Sequence, residues 1–143
     1  MYRVEDSHWW YRGMASISTA ILKHWVAPQK NIKILDAGCG TGAAMQSFLS
    51  DIGQVIGLDL SPHALSFCRL RGVAPLIQAT VSSLPFKSNI FNLVTSFDVL
   101  YARTVPDVQA ALKEFSRVLV PGGQLLLRLP AYDWLRGRHD LAV

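Results

Sequence analysis

With 143 residues, half of them hydrophobic and 17% charged, the chain has the length of one domain and too much apolar content for intrinsic disorder. Fourteen Lys and Arg against ten Asp and Glu give a net +4, but the cations are scattered, so the basic stripe of a nucleic-acid interface is missing. Two cysteines without CxxC or Cys/His spacing indicate neither a zinc site nor a disulfide framework, and no apolar run is long enough to span a bilayer.

The opening residues lack the charged-then-apolar order of a signal peptide, so a soluble, cytoplasmic protein with no membrane partner is expected. Trp10, Met14, Ile17, Ile21 and Trp25 recur at helical spacing. They predict a helix with that stripe in the core, capped by Asp6 or Ser7 and stopped at Pro28. A first strand over 32–36 ends at an acid and leads into Gly38, Gly40 and Gly42. Such a turn reaches positive φ and leaves no Cβ between the loop and a ligand. Its free amides, with the positive end of a helix running from near Ala43 to about Ser50, suit a polar or anionic group.

A second strand over 54–59 ends at Asp59, and Ser61 as N-cap, Pro62 at the first helical position and Gly72 as stop bound the next helix. Strands follow over 75–80 and 92–97. Val108, Leu112, Phe115 and Leu119 predict a helical stripe halted by Pro121-Gly122-Gly123, and a fifth strand covers 124–129 before Pro130. The alternation specifies an α/β fold, a doubly wound and mostly parallel Rossmann-like sheet with an N-terminal helix. One domain over 1–143 is expected, with a helical lid over 1–30, a core over 31–130 and a tail over 131–143.

Parallel sheets bind ligands beyond the carboxyl ends of their strands. Four strand ends converge there, carrying Asp36, Asp59, Thr80 and Ser96-Phe97-Asp98. An ionised Asp59 can accept from two neighbouring hydroxyls, as a ribose edge presents them; the competing role, helix capping, is already filled by Ser61. Asp36 has two readings, a contact to a ligand's ammonium or a tie for the glycine loop. Cys39 has no activating neighbour in sequence and is a small side chain beneath the loop rather than a nucleophile. Leu60 and Val81 either flank a planar base or join the core, and Thr80 and Ser82 offer hydroxyls. Asp98 is a loop hydrogen-bonding group, with general base as the competing role. Trp9, Tyr11 and Arg12 either form a lid over the ligand or pack on the sheet. No metal ligand set is present in the pattern.

Several stretches resemble the class I S-adenosylmethionine-dependent methyltransferases of small-molecule type. They are Ile34-Leu35-Asp36-Ala37-Gly38-Cys39-Gly40-Thr41-Gly42, Val55-Ile56-Gly57-Leu58-Asp59-Leu60-Ser61, and Ser83-Leu84-Pro85-Phe86 followed by Phe91-Asn92-Leu93-Val94. Ala111-Leu112-Lys113-Glu114-Phe115-Ser116-Arg117-Val118-Leu119-Val120-Pro121-Gly122-Gly123 is similar to the family's approach to strand five, and His8-Trp9-Trp10-Tyr11-Arg12 to the N-terminal helix of some members. The resemblance implies strand order 3-2-1-4-5 and S-adenosyl-L-methionine lying over Gly38, Cys39, Gly40 and Gly42, near Asp36 and Tyr11. It puts the ribose on Asp59, the adenine near Leu60, Thr80 and Val81, and the methionine moiety beside Ser96 and Phe97.

The implied reaction is in-line attack on the sulfonium methyl by a small-molecule acceptor. Thr80 stands where the family often has an acid, and Ala102 lies near where many members carry a histidine, so no catalytic residue is assigned beyond the candidate Asp98. The family's sheet continues past strand five, so that strand is expected to be an open edge through which the chain self-associates. Two other readings stand beside this one. The first is a remnant that binds cofactor or partner without transferring methyl groups. The second is an NAD-dependent dehydrogenase, disfavoured because Ala43 breaks the GxGxxG pattern.

Overall fold

A computed structural model describes residues 8–26 and 31–130. Its elements, in chain order, are α1 (Trp9–Trp25), β1 (Lys33–Ala37), a π-helical turn (Met45–Leu49) running into α2 (Ser50–Ile52), β2 (Gln54–Asp59), α3 (Pro62–Leu70), β3 (Leu76–Gln78), β4 (Phe91–Phe97), α4 (Val108–Val118) and β5 (Leu119–Arg128). The five strands form one parallel sheet ordered β3-β2-β1-β4-β5, as expected. The order reverses between β1 and β4, so the ligand-binding rim of such a sheet lies above those two strands.

Apolar side chains fill both faces of the sheet. On one, Ile34, Val55 and Leu93 pack with Met45, Phe48 and Leu49 of the π turn, Leu65 and Cys68 of α3, and Leu22 of α1. On the other, Leu35, Leu58, Phe91 and Val94 pack with Ala111, Phe115 and Val118 of α4. β1 and β4 are covered on both faces, so burial runs without alternation from Ile34 to Ala37 and from Leu93 to Ser96.

Local signals behave as their chemistry dictates in α3 and α4. Ser61 Oγ accepts from Ala64 N at 3.2 Å and Asp107 Oδ1 from Ala110 N at 2.9 Å, each satisfying an orphan donor of a first helical turn. Between β3 and β4 the chain crosses without a helix, and α4 pins it. Arg117 donates to the carbonyls of Phe86 at 2.7 Å and Leu84 at 3.1 Å, while Glu114 accepts from Leu84 N at 2.7 Å and from Arg117 Nε at 2.6 Å.

Four expectations are corrected. In α1 the buried residues are Ser18 and Leu22, whereas Trp10, Ile17, Ile21 and Trp25 of the expected core stripe are exposed. Ala15 and Leu22 of the inward side join the apolar cluster of Phe48 and Leu49 in the π turn, against which α1 packs. In α4 the inward set is Ala111, Phe115 and Val118 rather than Val108 and Leu112, and Leu119 already belongs to β5. β5 starts earlier than expected because Pro121-Gly122-Gly123 is a bulge inside it. The register passes from Phe91↔Leu119 to Leu93↔Gln124, and Gly122 takes φ +78° to make the detour. The N-cap of α1 is His8, whose Nδ1 accepts from Trp10 N at 3.3 Å, instead of the expected Asp6 or Ser7; the expected stop at Pro28 and the tail 131–143 lie outside the described residues.

Candidate functional site

The glycine loop leaves β1 and is drawn at once across β2. Gly38 N and Cys39 N both donate to Leu58 O, at 2.7 and 2.9 Å. Gly40 N donates to Asp59 Oδ2 at 2.8 Å, and Gly42 N closes on Cys39 O at 2.9 Å. The expectation of free amide donors is therefore corrected at these four positions: each is spent within the protein. What the loop offers is shape. Gly38, Gly40 and Gly42 have φ of +83°, +54° and +82°. A Cβ on Gly38 would collide with Val99, and one on Gly42 would meet Val73 Cγ2 at 2.8 Å and Cys68 Sγ at 3.1 Å. Around Gly40 a Cβ would find nothing within 4 Å. Of the three, Gly40 alone borders open space, while its neighbours are small so that the loop can pack against the residues after β4 and against α3.

Asp59 binds the two sides of that opening. Its Oδ2 holds Gly40 N, and its Oδ1 accepts from Ser61 N at 2.8 Å. The carboxylate is half-buried and each oxygen keeps a second lone pair, so it retains acceptor capacity toward a ligand's hydroxyls. Next to it Leu60 stands exposed, with its carbonyl accepting from Gln78 Nε2 at 3.3 Å, whereas Val81 is buried in the core below. Thr80 Oγ1 accepts from Ser82 N at 3.3 Å, and Ser82 Oγ is buried with no hydrogen-bond partner.

Asp36 is sealed beneath the loop. Thr95 Oγ1 of β4 donates to its Oδ1 at 2.8 Å, and loss of solvent pushes its carboxyl up to about 6 in spite of that bond. Its tie is therefore to β4. Ser96 is likewise committed, its hydroxyl donating to Ala37 O at 2.8 Å. Cys39 lies under the loop with Sγ 3.9 Å from Cys68 Sγ, and Cys68 Sγ donates to Gly40 O at 3.1 Å. The contact with Cys68 and burial push the Cys39 thiol up, away from the nucleophilic thiolate.

At the ends of β4 and β5 a second group assembles. Asp98, at φ +60°, accepts on Oδ2 from Arg128 Nε at 2.9 Å and pairs with Nη2 at 2.7 Å, while its N–H donates to Arg128 O at 2.9 Å. The Arg128 guanidinium also lies 4.9 Å from the ring centroid of Phe97. This is the geometry of a loop anchor. Tyr11, half-buried at the start of α1, sets its ring 5.9 Å from that of His8.

Thr95, Val99, Cys68 and Arg128 all shape the rim and were not singled out from sequence; a hydroxyl pair within an apolar strand was the available signal for Thr95. Two cavities lie elsewhere, one of about 530 Å³ by Lys33, Gln54, Ile56, Pro75 and Phe91, the other of about 340 Å³ between α1 and β5. Among the described residues there is no cluster of metal-ligating side chains, and no helix is long and apolar enough to cross a membrane.

A parallel sheet whose glycine loop is clamped by the acid ending the second strand defines a Rossmann-like ligand-binding domain. Within that class the chain belongs to the methyltransferase domain family of class I S-adenosylmethionine-dependent enzymes, whose profile matches residues 35–127. It is 36% identical over 105 residues to a demethylmenaquinone methyltransferase of Staphylococcus aureus, a match covering 68% of this chain and 43% of that protein. The chain thus spans less than half the length of this curated relative. Among solved structures it is similar to the YcgJ protein of Bacillus subtilis (TM-score 0.65, 30% identity, 76% of this chain and 47% of that one). It is also similar to the cyclase SpnF (TM-score 0.70, 25% identity, 82% of this chain and 45% of that one).

Proposed function

We propose that this chain holds S-adenosyl-L-methionine across the rim and transfers its methyl group to a small-molecule acceptor. The reading rests above all on one observation: Asp59 grips Gly40 N while the space beyond Gly40 is open. These residues fit the adenosine end of the cofactor. Asp59 has lone pairs left for ribose hydroxyls, Leu60 offers an exposed apolar flank for a base, and the buried Ser82 hydroxyl lacks a partner. Asp36 is the acid nearest the loop's underside, and its burial keeps a negative charge available to an ammonium only above the pH at which it ionises.

When bound, the cofactor supplies a methyl group already made electrophilic by its sulfonium. The protein's part is then to orient the acceptor and exclude water. Arg128, paired with Asp98 and lying over Phe97, supplies a cation at the β4–β5 end of the rim. The S. aureus relative's name makes demethylmenaquinone the first acceptor to assay. Titration calorimetry with S-adenosyl-L-methionine should give saturable binding, and Asp59→Ala should weaken it by about 1–3 kcal/mol, the cost of a charged hydrogen-bond acceptor. Equal affinity in the variant would remove Asp59 from the site, and no heat at all would end the proposal.

A second reading, cofactor binding without methyl transfer, is favoured by the engagement of Asp98, the single sequence candidate for a base, by Arg128. Binding without turnover across an acceptor panel would select it. We also propose self-association along β5, whose outer edge pairs with no strand among the described residues; a monomeric mass by light scattering at high concentration would exclude it.

A further inference from the structure

Cys39 and Cys68 are 29 residues apart in the chain, yet the fold brings their sulfurs to 3.9 Å. Cys39 sits in the glycine loop and Cys68 in α3, so a bond between them would tie the loop to the helix behind it. Two glycines leave room for this pair. A Cβ on Gly57 of β2 would stand 3.0 Å from Cys39 Sγ, and one on Gly42 would stand 3.1 Å from Cys68 Sγ. Both thiols are free, Cys68 wholly buried and Cys39 8% exposed. Sequence spacing carries no sign of the pairing, because it depends on where α3 packs against the loop.

The two sulfurs also touch the peptide that borders the opening. Cys68 Sγ donates to Gly40 O at 3.1 Å, while Gly40 N is held by Asp59 Oδ2. A disulfide sulfur has no hydrogen, so bridging removes the bond to Gly40 O. It also draws Cys39, the residue before Gly40, toward α3, because the sulfurs must close from 3.9 Å to about 2.0 Å. The hydrogen bond with Cys39 holds the Cys68 thiol below its ordinary range, while that contact and burial push Cys39 up. Cys68 is therefore the attacking sulfur and Cys39 the resolving one.

We propose that Cys39 and Cys68 form a dithiol that hydrogen peroxide closes to a reversible disulfide, shifting Gly40 and weakening cofactor binding at the rim. Burial of the pair selects an oxidant little larger than water. The Cys68 thiolate attacks one peroxide oxygen, the O–O bond breaks, and hydroxide leaves to become water with the proton that Cys68 released. The Cys39 thiol then attacks the sulfenic sulfur, the S–O bond breaks, and a second water carries away the Cys39 proton. The two sulfurs lose two electrons and the peroxide gains them; a dithiol such as dithiothreitol restores both thiols by exchange. The effect on affinity rests on the cofactor reading above, whereas the bridge and the loop shift do not.

The test treats the reduced full chain with graded hydrogen peroxide, alkylates the remaining thiols and reads the peptides by mass spectrometry. A linked peptide joining Cys39 to Cys68, lighter by two hydrogens and released by dithiothreitol, is expected. Amide exchange over 38–42 should rise in the bridged form, and S-adenosyl-L-methionine affinity by calorimetry should fall about tenfold and recover on reduction. Cys68→Ser keeps a donor for Gly40 O and cannot bridge, so peroxide should leave its affinity and loop exchange unchanged; Cys39→Ala serves the same purpose should the serine variant fail to fold. Each thiol oxidised separately without a linked peptide would overturn the proposal, as would a bridge formed only between two chains. An intramolecular bridge that changes neither loop exchange nor affinity would overturn it too. A reduced chain that binds no cofactor would end the proposed function, and the linked peptide and the loop exchange would still decide the bridge and the shift of Gly40.

Discussion

Thr95 donates a hydrogen bond to Asp36 across β1 and β4 at 2.8 Å, and both side chains are shut off from solvent. The bond only partly offsets the loss of hydration, and the carboxyl titrates at about 6 instead of 3.8. The folded state therefore binds this proton more tightly than the unfolded chain does. Its contribution is fully present below pH 3.8 and is lost as pH rises through 6, a change of about 3 kcal/mol. Asp36→Asn keeps an oxygen for Thr95 and removes the charge. The variant should melt at or above the wild-type temperature at neutral pH, and the difference should vanish below pH 4. If Asp36 also meets a ligand's ammonium, the same variant binds S-adenosyl-L-methionine more weakly while being more stable. Melting curves across pH and one calorimetric titration read both effects.

Glu114 has the opposite sign. Its bonds to Arg117 and to Leu84 N hold its carboxyl below the usual range, so its contribution is present above the ordinary glutamate pKa of 4.5 and is lost as pH falls through the lower, folded-state value. The pair is partly exposed, and solvent screening limits it to roughly 1–2 kcal/mol. Glu114→Gln or Arg117→Met should lower stability by that amount in urea unfolding at neutral pH. The crossover over 79–90 should also become more open to proteolysis, because Phe86 O and Leu84 O lose their donor in the arginine variant.

The loop glycines separate stability from binding. Gly42→Ala puts a Cβ 2.8 Å from Val73 and 3.1 Å from Cys68 at φ +82°, so it should destabilise the fold by several kcal/mol or prevent folding. Gly40→Ala meets no atom within 4 Å and takes φ +54°, a left-handed conformation costing about 1–2 kcal/mol. Its larger effect should fall on cofactor affinity, because the new methyl projects into the open space beside Asp59. Chemical denaturation of both variants, with titration of Gly40→Ala, distinguishes the two roles.

Much of this arrangement was legible because several signals agreed at once. Ser61, Pro62 and Gly72 bracket α3 by capping chemistry alone, and Asp59 and Phe97 end β2 and β4 where the sequence places those ends, while β1 runs one residue past Asp36. The inward face of α1 was not legible. Both sides of that helix carry apolar residues at helical spacing, and periodicity ranks the bulkier set first, whereas packing against the π turn buries the side that carries Ala15, Ser18 and Leu22. The fate of the loop amides was also hidden. A glycine turn is equally compatible with free donors and with donors folded back onto Leu58 and Asp59, and only the tertiary position of β2 decides. The π turn at Met45–Leu49 leaves no compositional trace, since its residues are ordinary helix formers.

Asp98 and Arg128 offer the sharpest test of what the rim does chemically. Two guanidinium nitrogens converge on Asp98 Oδ2, and the backbone of Asp98 is held by Arg128 O in a left-handed conformation at φ +60°. An aspartate so engaged fixes the loop after β4 and, with it, Val99 over Gly38. Asp98→Asn retains one acceptor oxygen and loses the charge. As an anchor it should cost about 1 kcal/mol of stability, given the pair's exposure, and leave any methyl transfer within a few-fold of wild type. A general base in the same place would lose about 10²–10⁴ in rate with binding intact. Measuring kcat and cofactor affinity together in this variant therefore decides between the two roles, and a large fall in kcat alone would return Asp98 to the catalytic machinery.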